Sequence, residues 1–235
     1  MNFQTLLADI DAGRILDVGC GSGQFTEILT GSLNSFDSLT GIDVAEEYIT
    51  EARLKFPGNQ YEFKVASSME LPFEDESYDL VAISKALHHV EDPLASLLEM
   101  KRVLKPGGYF LVNEMHRDQL SEAQESHLMY HHLRSEIDNV LGISHHQTFL
   151  RDDLMSLIDG MDLREKVIIE FSPDASNAKD PDHINDFIRK MDEWFLKLDG
   201  HPEKEEFSRR AEDLKIRFRK QGIARPPQMV FLGRK

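Results

Sequence analysis

Residues 14 to 23 read Arg-Ile-Leu-Asp-Val-Gly-Cys-Gly-Ser-Gly, an apolar run interrupted by Asp17 that breaks into glycines at Gly19, Gly21 and Gly23. A short aliphatic and β-branched run followed by alternating glycines describes a buried strand that turns sharply into a helix. The backbone is left bare at the turn, where a ligand has to come close. A dinucleotide fingerprint spaces its glycines G-x-G-x-x-G, so that a diphosphate rests on the helix N-terminus. Here the spacing is G-x-G-x-G, with an acid just ahead of it. A ligand without phosphate that carries positive charge suits such an acid better.

Four more segments follow in order: Leu39-Thr-Gly-Ile-Asp43, Ala66-Ser-Ser-Met-Glu-Leu-Pro-Phe73, Ser77-Tyr-Asp-Leu-Val-Ala-Ile-Ser84 and Arg102-Val-Leu-Lys-Pro-Gly-Gly-Tyr-Phe-Leu-Val112. Together with the glycine motif they resemble the class I S-adenosylmethionine-dependent methyltransferases, most of all the small-molecule group that acts on quinone precursors. The resemblance covers residues 14–114. It implies S-adenosyl-L-methionine as cofactor and S-adenosyl-L-homocysteine as product, held by Asp17, Gly19, Cys20, Gly21, Gly23, Asp43, Val44, Ser67, Ser68, Met69 and Ser84. Asp43 stands 20 residues after Gly23, where a carboxylate can accept both ribose hydroxyls. Ser67 occupies a position where many relatives have Asp, which passes the adenine contact to a hydroxyl or to backbone. The fold implied is α/β: a Rossmann-like, seven-stranded, mostly parallel sheet with helices on both faces, the last strand antiparallel.

Alternation of strand and helix along the chain supports that plan. Strands are expected near 14–18, 39–43, 61–65, 79–83, 109–114, 166–171 and 228–232, with a helix at Leu94–Leu104. A short helix carrying Phe3, Leu6, Leu7 and Ile10 precedes them. The chain reads as a single methyltransferase domain over 1–235, with a cofactor half at 1–114 and a variable, acceptor-side segment at 115–165. A helical-hairpin insertion at 173–226 separates the last two strands. In that insertion Ile184, Phe187, Ile188, Met191, Trp194, Phe195 and Leu198, then Phe207, Ala211, Leu214 and Phe218, recur at helical spacing, with Pro181 opening the first helix and Gly200 closing it. It serves as a substrate lid, a dimer surface or plain packing; a lid predicts that deleting 176–222 weakens substrate selection and spares the sheet.

A net charge of −15 argues against a nucleic-acid partner. Residues 201–235 form a locally basic stretch, with ten Lys or Arg against five Asp or Glu. No apolar run approaches the roughly 18 residues of a membrane span and no signal pattern opens the chain, so a cytoplasmic protein is expected. Cys20 is the single cysteine, which leaves no intrachain disulfide.

Methyl transfer needs mainly an aligned nucleophile and a dry site, and a base only where the acceptor is protonated. The candidates for that base are His88 and His89, shortly after the fourth strand, and Glu114 and His116 at the end of the fifth. The segment from His116 to His146 also holds His127, His131, His132 and His145. His127 and His131, four apart on a helix, have a chelating spacing, but no third ligand is in view and no metal is expected. The chain lacks an Asn/Asp-Pro-Pro-Tyr/Phe motif, a nucleophilic cysteine outside the glycine loop and a pair of glutamates at 85–89. Base methylation, arsenite methylation and protein arginine methylation are thereby disfavoured. Direct transfer of a methyl group to a small-molecule N, O or C nucleophile is left, with a possible homodimer. The alternative is a protein that binds the cofactor for regulation or scaffolding without transfer; a nicotinamide-dependent oxidoreductase is a more distant third.

Overall fold

The computed structural model describes residues 3–235. In chain order the elements are α1 (Phe3–Leu7), β1 (Arg14–Val18), α2 (Gln24–Ser32), β2 (Ser38–Asp43), α3 (Glu46–Lys55), β3 (Tyr61–Val65), β4 (Tyr78–Ser84), a 3-10 turn at Leu87–His89, α4 (Pro93–Val103), β5 (Leu104–Met115), α5 (Glu122–Val140), α6 (Arg151–Asp159), β6 (Arg164–Phe171), α7 (Pro181–Leu196), α8 (Lys204–Gln221) and β7 (Gln228–Arg234). They group into two compact units. One comprises residues up to 114 with 152–170 and 229–235; the other comprises 115–151 with 171–228.

The first unit is built on a seven-stranded sheet in the order β3-β2-β1-β4-β5-β7-β6. β1 pairs in parallel with β2 on one side and β4 on the other, and β4 pairs in parallel with β5. β7 runs the other way. Gly107 at the start of β5 bonds Lys235 just past the end of β7, and His116 just past the end of β5 bonds Pro227 just before β7. The order reverses direction between β1 and β4, and at such a switch point the carboxyl ends of the strands leave a crevice for a ligand.

The residues of β1 explain its central place. Ile15, Leu16 and Val18 are all buried, as a strand with neighbours on both edges and cover on both faces requires. Leu7, Leu29, Ile49, Ala52 and Phe63 pack with Ile15 in one apolar cluster. β5 differs from the expected span: helix α4 ends at Val103 and the strand begins at once, with the Pro-Gly-Gly turn absorbed inside it. The register with β4 shifts between Tyr78 and Leu80, and Gly107 takes a φ of +78°. Between those two pairs β5 advances five residues against two of β4, so the Pro-Gly-Gly segment loops out of the ladder before pairing resumes at Tyr109.

The second unit is helical. α5 opens on a reciprocal cap in which Ser121 N–H donates to Gln124 Oε1 and Gln124 N–H to Ser121 Oγ. α7 opens on Asp180, whose carboxylate accepts from the amides of Asp182 and His183. The periodic apolar residues of α7 and α8 close on α5: Leu133 and Ile137 share one cluster with Ile184, Met191, Trp194, Phe207, Leu214 and Phe218. The hairpin before the last strand is therefore one half of a core whose other half is α5. No helix among the described residues is long and apolar enough to cross a membrane.

Candidate active site

At the carboxyl end of β1 the chain enters the glycine loop. Gly19, Gly21 and Gly23 all take left-handed φ values, +66°, +52° and +83°. A side chain at Gly19 would put its Cβ 2.4 Å from the Cβ of Ala86, on the loop after β4. A side chain at Gly21 meets no protein atom within 4 Å. Gly19 is thus bare so that two loops can touch, whereas Gly21 is bare facing open space. Gly23 caps α2 with no side-chain bond, and its absent Cβ makes room for the Phe56 ring.

Asp43, at the end of β2, faces this loop. Its Oδ2 accepts from Gly21 N–H at 3.0 Å and its Oδ1 from Ala45 N–H at 3.0 Å. Both bonds lock the carboxylate in place and leave lone pairs over for hydroxyl donors. Val44, the next residue, leaves 73% of its surface exposed, an apolar platform beside the acid.

Asp17 is fully buried. Its Oδ2 accepts from Thr26 Oγ1 in the first turn of α2 at 2.6 Å, and its Oδ1 has no hydrogen-bond partner. Burial pushes its carboxyl up to about 7; the Thr26 hydrogen bond opposes that shift and the Asp43 charge adds to it. A buried carboxylate with an unused oxygen is costly unless a cation or donor completes it. Cys20 is buried in the same loop with Sγ toward Gly21 O, and burial raises its thiol well above the usual range. It is a small apolar filler and not a nucleophile.

The third wall is the loop after β3. Ser67 is exposed and accepts from Met69 N–H at 3.2 Å, a local turn; Ser68 and Met69 are half-buried. Its far end is held from α4. Glu99 Oε2 accepts from Leu71 N–H, and Arg102 donates to the carbonyls of Leu71 and Phe73. Arg102 opens the fifth motif segment, but nothing in that segment announces its bonds to Leu71 and Phe73, 31 and 29 residues away.

The fourth wall follows β4. Ser84 ends the strand in register with Asn113 of β5, whose Nδ2 donates to Ser84 Oγ at 2.9 Å. Lys85 then adopts a φ of +52°, which costs a lysine about 1 kcal/mol and swings the chain toward Gly19. Glu114 stabilises the turn that results. Its Oε2 accepts from Leu87 N–H at 3.1 Å and its Oε1 lies 3.0 Å from His88 Nδ1, with both side chains buried. The structure brings Glu114 and His88 together as a pair. His89 stacks against the His88 ring at a centroid distance of 4.3 Å and is exposed. His116 belongs to the other unit, where its Nδ1 lies 3.6 Å from Asp118.

The remaining histidines depart from the spacing argument. His127 packs edge-on to Phe187 beside Tyr130, and burial lowers its pKa to about 3, with the Arg225 and His183 charges adding. His131 turns to His145, Nε2 to Nε2 at 3.2 Å. The pair that forms is 14 residues apart across a loop, and no helical periodicity announces it.

The donor set fits S-adenosylmethionine. An open glycine at Gly21, a clamped acid at Asp43, an apolar platform at Val44 and an unused buried oxygen on Asp17 are groups that would suit its amino-acid part, ribose, base and positive charge.

Residues 16–112 match the family model described as a methyltransferase domain. Over 118 residues the chain is 37% identical to a demethylmenaquinone methyltransferase of Staphylococcus aureus strain MRSA252, a stretch that is 50% of this chain and 49% of that protein. The chain thus spans about half the length of the curated relatives it matches. Among solved structures it is similar to the YcgJ protein of Bacillus subtilis, with a TM-score of 0.60 at 20% identity over 99% of this chain and 95% of that one. It is also similar to an S-adenosylmethionine-dependent methyltransferase of Mesorhizobium loti, with a TM-score of 0.59 at 19% identity over 99% and 95%. At those identities the likeness shows the fold, and the family match rests on the glycine motif and the strands that follow it. Residues 16–112 therefore match a methyltransferase domain, on a fold that the chain shares with an S-adenosylmethionine-dependent methyltransferase.

Proposed function

We propose that this chain moves the methyl group of S-adenosylmethionine to a small-molecule N, O or C nucleophile by direct displacement. The observation that carries this reading is Asp43, locked by two backbone amides beside the open face of Gly21. A protein with no use for a ribose would have no reason to hold a carboxylate there so firmly. When bound, the cofactor supplies a methyl group already activated on a sulfonium. The protein's share is then alignment and exclusion of water. Gly19, Gly21 and Asp43 would hold the cofactor, and a bound cation would favour the charged form of Asp17. Glu114, with His88 on one oxygen and Leu87 N–H on the other, positions the turn after β4; His88 is the residue of that pair suited to take a proton from an acidic acceptor.

The names of the relatives support one acceptor class. The matching curated proteins are named for methylation of demethylmenaquinone, and a reduced quinone precursor or a similar ring metabolite is the acceptor we infer for this chain. The test is incubation with methyl-labelled S-adenosylmethionine and a panel of hydroquinones, phenols and amines, with products identified by mass. Transfer to a ring acceptor, lost in Asp43→Ala, supports the reading. Tight cofactor binding with no transfer to any class would point to a regulatory or scaffold role.

A further inference from the structure

In the helical unit, polar side chains meet where a bundle ordinarily buries only hydrocarbon. His131 of α5 and His145 of the following loop are nine-tenths buried or more, as are Asp138 and Thr148. The two Nε2 atoms face each other at 3.2 Å, with the rings near perpendicular at 86°. Each ring is braced from behind. His145 Nδ1 lies 2.8 Å from Asp138 Oδ2, and Arg134 grips that carboxylate through Nε on one oxygen and Nη2 on the other, each at 2.7 Å. His131 Nδ1 lies 3.3 Å from Thr148 Oγ1. The loop is also pinned: Asn139 accepts from His145 N–H and donates to His145 O.

Hydrogen-bond accounting places the protons. Arg134 stands against both oxygens of Asp138, so this carboxylate accepts, and His145 carries its proton on Nδ1. With both rings neutral, His145 Nε2 offers a lone pair, His131 Nε2–H donates to it, and Thr148 O–H donates to His131 Nδ1.

One proton shift turns this chain of bonds into a chelate. Two imidazoles on one tetrahedral Zn²⁺ at about 2.0–2.1 Å place their nitrogens about 3.3–3.4 Å apart, and here they stand at 3.2 Å. Metal-bound imidazoles characteristically use their second nitrogen on a carboxylate or another oxygen, which fixes tautomer and ring plane. Both rings already do so. We propose that His131 Nε2 and His145 Nε2 are the protein ligands of a divalent transition-metal site of the Zn²⁺ type, with Asp138 and Thr148 as their outer partners. Binding moves the His131 proton from Nε2 to Nδ1 and turns Thr148 from donor to acceptor, with no net proton released. Two protein ligands leave coordination positions for water or for a donor atom of a bound molecule, so the affinity is lower than that of a closed four-ligand site.

The competing possibility is a purely structural staple that ties the loop to α5. The experiment is titration of the chelator-treated full chain with Zn²⁺, and separately Co²⁺, read by histidine-selective ¹H–¹⁵N spectra and by visible absorption. Because the chain has ten histidines, the assigned His131 and His145 signals decide where metal binds. The proposal expects His131 to switch tautomer at saturation and Co²⁺ to develop d–d bands. It also expects a loss of affinity of at least tenfold in His145→Gln, and of about 10- to 100-fold in Asp138→Asn. A His131 tautomer unmoved by saturating Zn²⁺, or wild-type affinity no higher than that of the His131→Gln/His145→Gln double variant, overturns it. Should the variants fail to fold, the wild-type spectra alone decide between metal site and staple.

Discussion

Two buried carboxylates, Asp17 of the sheet unit and Asp138 of the helical unit, have different surroundings. In the sheet unit, Asp17 has only the Thr26 hydroxyl on Oδ2 and no hydrogen bond on Oδ1, beside a glycine loop whose Gly21 N–H is held by Asp43. In the helical unit Asp138 also leaves Oδ1 without a hydrogen bond, but Arg134 stands 2.7 Å from each of its oxygens and His145 Nδ1 lies 2.8 Å from Oδ2. A buried acid with no cation beside it is open to a charged ligand, whereas one already ion-paired serves as a scaffold or as an outer partner of one. Burial alone would have ranked the two alike.

The largest test of that contrast is Trp194→Ala. Trp194 is buried against Tyr130 with a ring-centroid distance of 4.6 Å, in the core that α5 shares with α7 and α8. Its removal is expected to cost about 3–5 kcal/mol of stability in denaturant unfolding, while cofactor affinity, measured where the variant is folded, stays within about twofold. A large loss of affinity would break the division of labour between the units. Next is Gly21→Val. A β-branched residue at a φ of +52° is strained, and its side chain fills the open space at the loop. The expected result is a rise in the S-adenosylhomocysteine Kd of at least about 100-fold, equivalent to about 2.7 kcal/mol, out of proportion to any fall in melting temperature. Glu114→Ala comes third. It removes the acceptor for Leu87 N–H and His88 Nδ1 together, and unfolding should show a loss of about 1–3 kcal/mol.

The last test is a slope. The Asp17 carboxyl is raised from 3.8 to about 7 in the fold, so the native state holds a proton that the unfolded chain has lost. Its contribution to stability is full below about 4, falls as pH rises through the interval, and levels off above about 7. Asp17→Asn has no such proton. Melting temperatures followed from pH 4 to 8 should therefore show the wild type losing ground to Asp17→Asn as pH rises, and parallel curves would refute the assignment.

The same contrast explains what can be read from the sequence. Asp17, Gly19, Gly21 and Asp43 are legible because strand, turn and acid are contiguous or separated by one strand–helix unit of nearly constant length. The alternation of strands and helices is legible for the same reason, and β1 and β3 fall on the expected residues 14–18 and 61–65. Thr26, Asn113 and Arg102 are not legible, since they reach their partners only once α2, β5 and α4 have packed. In the helical unit, periodicity finds the apolar faces of α7 and α8 but not that α5 completes their core. It pairs His127 with His131, whereas a loop return brings His145 to His131 instead. Helical spacing encodes neighbours on one helix and carries no information about a loop that folds back on it.

That Asp43 and the open glycine hold S-adenosylmethionine is tested most directly by calorimetric titration of wild type and Asp43→Ala with S-adenosylmethionine and S-adenosylhomocysteine. One site per chain with micromolar affinity for both ligands is expected, with a loss of at least about 100-fold, about 2.7 kcal/mol, in a variant that remains folded. No heat with the wild type, or equal affinity in Asp43→Ala, would contradict it.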